Sequence, residues 1–392
     1  MTGLDDTLAP RLAQLDARHL RRTIRVFSSA CGPRVRLAGR ELLQFCSNDY
    51  LGLASDPRLA QAVVAAASRF GSGTGSSRLV EGTTELHADL EDALATLKST
   101  QASLVFTSGY QANVGVLSAL MGPEDTIFSD ERNHASLIDG CRLSRATVRV
   151  YRHLDVDHLD ALLVAAPAGG HRLVVTETVF SMDGDIAPLR DLVDTARRRD
   201  AWVLVDEAHA VGVFGDRGGG VVDKLNLADA IDVQIGTLGK ALGSLGAFAA
   251  GSTTVVDWLA NVARSFVYTT ALSPPAVAAA RVAVDIVRRE PERRQRLWDH
   301  AVLMRSRLTD LGFCVGTSQS PILPLLIGDT ERAMRLSAAL LERGVFVPAI
   351  RPPTVPPGTA RLRVVPMATH TDEDLEEGLE AFADAGRMSG VL

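Results

Sequence analysis

The sequence predicts an α/β fold followed by a smaller α+β segment. Three observations carry this: short apolar runs alternate with helical patterns from about 45 to 270, those runs show little polar alternation, and isolated strands flanked by longer helices follow. Apolar runs without alternation are strands buried on both faces, as in a mainly parallel sheet wrapped by helices. Strands are predicted at 103–106, 126–128, 148–151, 173–176, 202–205, 231–236 and 246–250. Between them Leu86, Leu90, Ala93, Leu94 and Leu97 recur at helical spacing, as do Val114, Leu117 and Met121. A long helical stretch from about Pro274 to Leu311 leads to strands at 322–327, 345–347 and 361–365, with helices around 330–343 and 372–386. Thr371, followed by Asp374 ahead of Leu375, Leu379 and Phe382, opens the last helix with a capping box. The expected divisions are an arginine-rich arm at 1–45, a large domain at 46–285 and a small C-terminal domain at 286–392.

With 392 residues, 46% hydrophobic and 22% charged, the chain has enough apolar material for a sizeable core. Forty-one basic against forty-seven acidic residues give a net charge of -6, which leaves no overall field to attract nucleic acid or an anionic bilayer. An anionic ligand must therefore be bound locally. The cysteines at 31, 46, 141 and 314 have no short spacing, so no zinc knuckle or redox pair is expected, and a reducing, cytoplasmic setting is. The opening residues lack a basic flank and apolar stretch. The apolar run at 271–287 is broken by Ser273, Pro274, Pro275, Arg281 and Asp285, so neither a secretion signal nor a membrane span is expected.

Three segments carry candidate chemistry. Lys240 lies just beyond a buried strand in a turn of small residues from Gly236 to Gly243, where a lysine must be solvated, paired or reacted. A Walker phosphate loop is excluded, because Ala241 follows the lysine and Gln234 stands where a glycine is needed. Asp206 ends an apolar strand and His209 follows three places later, at the carboxyl end of a strand where α/β sheets bind ligands. A structural Asp capping the next helix is an equal reading. No third ligand stands at a spacing that makes a metal site with these two. Thr107 to Asn113 runs from a strand through Gly109 and Tyr110 into a helix whose first amides can hold a phosphate. The glycine run 71–75 fails as a dinucleotide loop, since Ser76 occupies the sixth position and a helical pattern precedes it.

In this order the segments resemble the fold-type I enzymes that depend on pyridoxal phosphate. The stretches 47–53, 75–78, 133–137, 179–184 and 351–356 extend the likeness to the α-oxoamine synthases across the chain. The resemblance implies that Lys240 bonds the cofactor, Asp206 pairs with its ring nitrogen, and His209 and Ser181 bond the ring oxygen. It further implies that His134 lies over the ring and that Gly109, Tyr110 and Thr237 hold the phosphate. Ser76 and Thr270 would come from the neighbouring subunit of a homodimer. Arg351 would grip the amino-acid carboxylate with help from Asn48 and Thr354, and Arg21 or Arg22 would approach the acyl-CoA. The arginine and double proline at 351–353 point to an alanine-using member. The implied reaction is condensation of L-alanine with pimeloyl-CoA, or another pimeloyl thioester, with loss of CoA and carbon dioxide. The stretches 133–140 and 81–83 also resemble glycine-using members, 5-aminolevulinate synthase and 2-amino-3-ketobutyrate CoA ligase. An aminotransferase of the same fold shares Asp206 and Lys240. A non-catalytic regulator would need a DNA-binding module for which no segment remains.

Overall fold

The computed structural model describes residues 3–167 and 169–392; Met1, Thr2 and Ala168 lie outside the described residues. The chain forms two compact units. The larger comprises Asn48–Ser181 and Asp185–Leu297; the smaller comprises the chain up to Ser47, Met182–Gly184 and Trp298–Leu392.

The larger unit is built on a seven-stranded sheet. In chain order its strands are β1 (Ala102–Phe106), β2 (Thr126–Asp130), β3 (Thr147–Tyr151), β4 (Arg172–Glu177), β5 (Trp202–Asp206), β6 (Val233–Thr237) and β7 (Ala247–Gly251). Their order across the sheet is β1-β7-β6-β5-β4-β2-β3. Only β7 runs antiparallel to its neighbours, pairing Ala249 with Leu104 on one side and with Ile235 on the other. The remaining six share one direction, so their carboxyl ends form a single rim. All seven correspond to strands legible in the sequence. The central strands are buried along nearly their whole length, as strands covered on both faces must be. At the edge, β3 is largely exposed and carries Arg149, which discourages pairing with another chain. Helix Gly109–Leu120 packs on the sheet through Ala112, Val116 and Leu117, in one apolar cluster with Leu104, Leu173, Leu204 and Ile235.

The smaller unit packs its own core from Leu43, Phe45, Leu323, Leu336, Leu362, Leu379 and Phe382. The expected arm belongs to it. Residues 34–44 form an antiparallel hairpin that also pairs in parallel with Val345 and Phe346, which ties the N-terminal segment to the C-terminal one. Helix Leu4–Ala17 precedes this hairpin and buries none of its residues. The predicted long helical stretch is two helices, Pro274–Arg289 and Pro291–Asp310. Pro291 cannot donate the backbone bond that would continue the first and suits the first turn of the second. The expected boundary at 286 thus falls inside a helix, and the units divide between Leu297 and Trp298.

Behind the rim of β5, Lys98 and Glu207 form an ion pair with no exposed side-chain surface. Lys98 also donates to the carbonyl of Gly219, while Glu207 accepts from the amides of Val221 (2.7 Å) and Val222 (3.1 Å) and from the hydroxyl of Thr178 (3.2 Å). Removing one partner strands a charge in the interior. Lys98→Met is expected to destabilise the protein by about 3–5 kcal/mol, read as a lowered unfolding midpoint, with partial recovery when Glu207→Gln is added.

Candidate active site

The rim gathers the candidate residues because each follows or ends a parallel strand. Gly109 opens the helix after β1, His134 follows β2, Glu177 ends β4, Asp206 ends β5 and Thr237 ends β6. Two strings of hydrogen bonds organise them.

The first runs from Asp206 to His134. The side-chain amide of Asn113 donates both to Asp206 Oδ2 (2.8 Å) and to Ser136 Oγ (2.9 Å). Ser136 Oγ lies 2.7 Å from His134 Nδ1, and the Ser136 amide donates to the same nitrogen at 3.3 Å. A backbone N–H can only donate, so His134 Nδ1 is an acceptor and the ring proton sits on Nε2. Burial drives the imidazole pKa down and Lys240 adds to this, against the pull of Asp206. His134 is therefore a neutral ring that caps the helix Ala135–Ser144. Asp206, buried, takes a further bond at 2.8 Å from the amide of Ala208.

The second string is Tyr50, His209 and Lys240. Tyr50 Oη lies 2.6 Å from His209 Nδ1, and Lys240 Nζ lies 2.7 Å from His209 Nε2. Both ring nitrogens are engaged, so the position of the imidazole proton depends on the state of the lysine. Glu177 completes the electrostatics. It pairs in register with Asp206 across β4 and β5 and is itself buried. Burial and then the charge of Asp206 push its carboxyl well above the ordinary range, with Lys240 opposing.

The other expected residues are placed as follows. A side chain built at Gly109 would meet nothing within 4 Å, which leaves open space before the first amides of its helix. Ser108 caps that helix by accepting from Gln111. The Tyr110 ring is half exposed, and its hydroxyl donates to Asp139. Thr237 Oγ1 donates to the carbonyl of Gly246 (3.1 Å) and accepts from the amide of Gly239 (3.2 Å), shaping the turn that carries Lys240. Ser181 stands at the tip of the hairpin after β4, closed by the bridge of Val179 to Ile186. Ser76 accepts at its carbonyl from Ala271, and Ser77 bridges to Thr270, so these two segments lie side by side. Asn48 holds a buried Oδ1 with no hydrogen-bond partner.

In the smaller unit, Arg351 donates through Nε to the carbonyl of His19 and through Nη2 to that of Arg21, each at 2.6 Å. Arg21 itself turns away to Asp16 at 2.6 Å, whereas Arg22 reaches Thr354 Oγ1 at 2.9 Å. Burial and the neighbouring charge of Arg22 lower the Arg351 pKa, so an anion near both would be welcome. Sequence reasoning gave no role to Tyr50, Asn113 or Ser136 and missed Glu177. Among the described residues no cluster suited to a metal ion occurs.

The chain has only three lysines. Lys98 is locked to Glu207, Lys224 lies 5.6 Å from the centre of the Phe214 ring, and Lys240 stands at the rim. These groups fit pyridoxal phosphate in kind: an amine for its aldehyde, a buried carboxylate for its ring nitrogen, and open space at a helix start for its phosphate.

Comparison with known proteins agrees. The model of the family described as aminotransferase class I and II matches residues 40–382. The 8-amino-7-oxononanoate synthase of Anaeromyxobacter dehalogenans is 49% identical over 381 residues, covering 97% of this chain and 96% of its own. That of Geobacter sulfurreducens is 48% identical over 389 residues, covering 98% and 99%. Among solved structures, Sphingomonas wittichii serine palmitoyltransferase has a TM-score of 0.95 at 36% identity with both chains covered in full. A serine palmitoyltransferase structure with pyridoxal phosphate has 0.94 at 34% identity, covering 99% of this chain and 98% of its own. With its rim of Asp206, His209 and Lys240 and this likeness along its whole length, the chain belongs to the α-oxoamine synthases, acyltransferases of fold-type I that depend on pyridoxal phosphate.

Proposed function

We propose that this chain condenses L-alanine with a pimeloyl thioester, pimeloyl-CoA in the first instance, to give 8-amino-7-oxononanoate, CoA and carbon dioxide for biotin synthesis. One observation carries the chemistry: Lys240 and Asp206, with His209 bonded to the lysine at 2.7 Å, meet at the rim of one sheet. The choice of substrates is supported by the name that relatives 44–50% identical along nearly their full length carry, and this favours alanine over the glycine-using readings.

When bound, pyridoxal phosphate supplies an electron sink for the charge left on the alanine Cα. Asp206 would favour a proton on the ring nitrogen, and the bonds from Asn113 and Ala208 keep that carboxylate aimed. Lys240 would hold the cofactor through its amine, and that amine, when free, would be placed to take the alanine Cα proton. With Lys240 Nζ no longer donating to His209 Nε2, the imidazole proton can move there, while the Tyr50 hydroxyl donates to Nδ1. In that form His209 would offer a donor to the cofactor's ring oxygen, joined by Ser181. His134, neutral and fixed by Ser136, would lie against the cofactor ring without adding a competing charge. The first amides of helix Gly109–Leu120, with Thr237, receive the phosphate. Arg351 grips the alanine carboxylate, with Asn48 beside the amino acid, and Arg22 with Thr354 serves the acyl substrate. The new bond joins the alanine Cα to the acyl carbonyl carbon as the thioester C–S bond breaks. The carboxylate then leaves as carbon dioxide and a proton returns to Cα.

The reading includes a homodimer. Leu79, Val80 and Tyr268, on the segments that carry Ser76 and Thr270, are 58%, 81% and 73% exposed, an apolar surface suited to a second copy that receives those hydroxyls. A cytoplasmic setting is supported by four free cysteines. No helix among the described residues is long and apolar enough to cross a membrane.

CoA release by purified protein decides the substrates: alanine with pimeloyl-CoA is expected to exceed glycine with acetyl- or succinyl-CoA, and the reverse order overturns the reading. Lys240→Ala is expected to lose at least about 10²–10⁴-fold in turnover while keeping the melting profile of the parent. Asp206→Asn removes the anion that favours the protonated ring, and a loss of about 10–10³-fold in kcat is expected with the fold retained. In nuclear magnetic resonance titrations of the cofactor-free protein, His134 is expected to stay neutral on acidification past about pH 6.5. Because its folded pKa lies below the unfolded value, its contribution to stability is full above that pH and declines as pH falls.

A further inference from the structure

Beyond the groups that face the cofactor, three side chains of the larger unit form a buried bridge. His153 Nδ1 lies 2.9 Å from Asp130 Oδ1, and its Nε2 lies 2.9 Å from Asp185 Oδ2. Both nitrogens face carboxylates, so both must donate, which only the imidazolium form can do. The side chains of His153, Asp130 and Asp185 are 8%, 1% and 12% exposed. Burial opposes the charge on the ring, but hydrogen bonds and attraction from both carboxylates outweigh it and raise the pKa to about 9. The Phe180 ring stands edge-on to the imidazole at 4.4 Å and 89°.

Each carboxylate organises a different segment of the site. Asp130 ends β2, and it also accepts from the amides of Arg132 (2.9 Å) and Leu154 (3.0 Å). It thereby fixes the turn that leads to Asn133 and His134, and it holds Leu154 at φ 59°, a conformation uncommon for a residue other than glycine. Asp185 belongs to the hairpin that carries Ser181: Phe180 donates to its carbonyl at 3.0 Å, and Ala187 donates to Thr178 at 3.1 Å. The other oxygen of Asp185 has no hydrogen-bond partner, so His153 is the cation that accounts for burying this carboxylate.

We propose that His153 is a positioning residue whose imidazolium ties the segment delivering His134 to the hairpin delivering Ser181, and so sets the spacing of two groups that the function reading places on the cofactor. The proposal rests on that reading for its consequence and on the geometry above for the tie. Tyr151 and Glu177 also feel the charge of Asp130, and Arg152, beside His153 in sequence, is paired with Asp155. Since the folded pKa of His153 lies above the ordinary imidazole value, the tie is at full strength below about pH 6.5 and is lost as pH rises through about 9.

The test uses hydrogen exchange on the cofactor-free full chain, compared with H153Q at neutral pH. Exchange about tenfold faster at both 130–136 and 178–187, with β1 unchanged, is expected; no change, loosening of one segment alone, or loosening throughout overturns the proposal. Wild-type protein above pH 9, corrected for base-catalysed exchange, is expected to loosen in the same two segments. A second measurement reads cofactor affinity from visible absorption against pH. The wild type is expected to weaken near pH 9, and H153Q to bind about tenfold less tightly without that limb. A merely structural role would lower the melting temperature and leave the limb in place, which overturns the proposal. A wild type that binds no cofactor refutes the function reading alone, and the exchange arm still decides the tie. D185N, which removes one acceptor and keeps the imidazole, serves if H153Q does not fold.

Discussion

The structure depends most on one buried negative charge. Asp206 sits at the end of a strand covered on both faces, where an ionised carboxylate is expensive unless hydrogen bonds and opposite charges surround it. Asn113 and the Ala208 amide supply the bonds, and the function reading adds the protonated nitrogen of the cofactor ring. Much of the rim follows from this demand. Asn113 must come from the helix after β1, Ser136 must share its amide, and His134 is fixed through Ser136. Glu177, placed beside Asp206 by the register of two strands, is pushed toward its neutral form so that two adjacent carboxylates need not both ionise.

A second constraint supports the proposal that Lys240 is the reactive amine. Only three lysines occur in 392 residues. One is spent in a fully buried pair that holds the loop behind Asp206, and another lies against an aromatic ring. Lys240 alone meets an imidazole whose far nitrogen is held by a tyrosine. The turn that presents it leaves little freedom: a side chain at Gly243 would come within 2.4 Å of the Ala54 amide nitrogen at a φ of +60°, so glycine is required there.

Much of this was legible in the sequence, and the rest was hidden for physical reasons. The seven sheet strands could be read because buried strands lack alternation. Their order, and the reversed direction of β7, could not, because Ala247 to Gly251 has the composition of any buried strand. Lys240, Asp206 and His209 stood out because each follows a strand end. Tyr50 and Asn113 did not, since their bonds to His209 and Asp206 span 159 and 93 positions, and only the fold brings such residues together. Glu177 reads as the last residue of an ordinary strand until its register with Asp206 is known. The hairpin at 34–44 was absorbed into an arginine-rich arm because its outward residues, Arg34, Arg36 and Arg40, mask the apolar positions between them.

The central claim is that one amine at this rim bears pyridoxal phosphate. It is tested most directly by borohydride reduction of the protein with cofactor, followed by peptide mass spectrometry. The account predicts the cofactor mass on the peptide containing Lys240 and on neither of the peptides containing Lys98 and Lys224. Label on another residue, or none after saturation with the aldehyde, would contradict it.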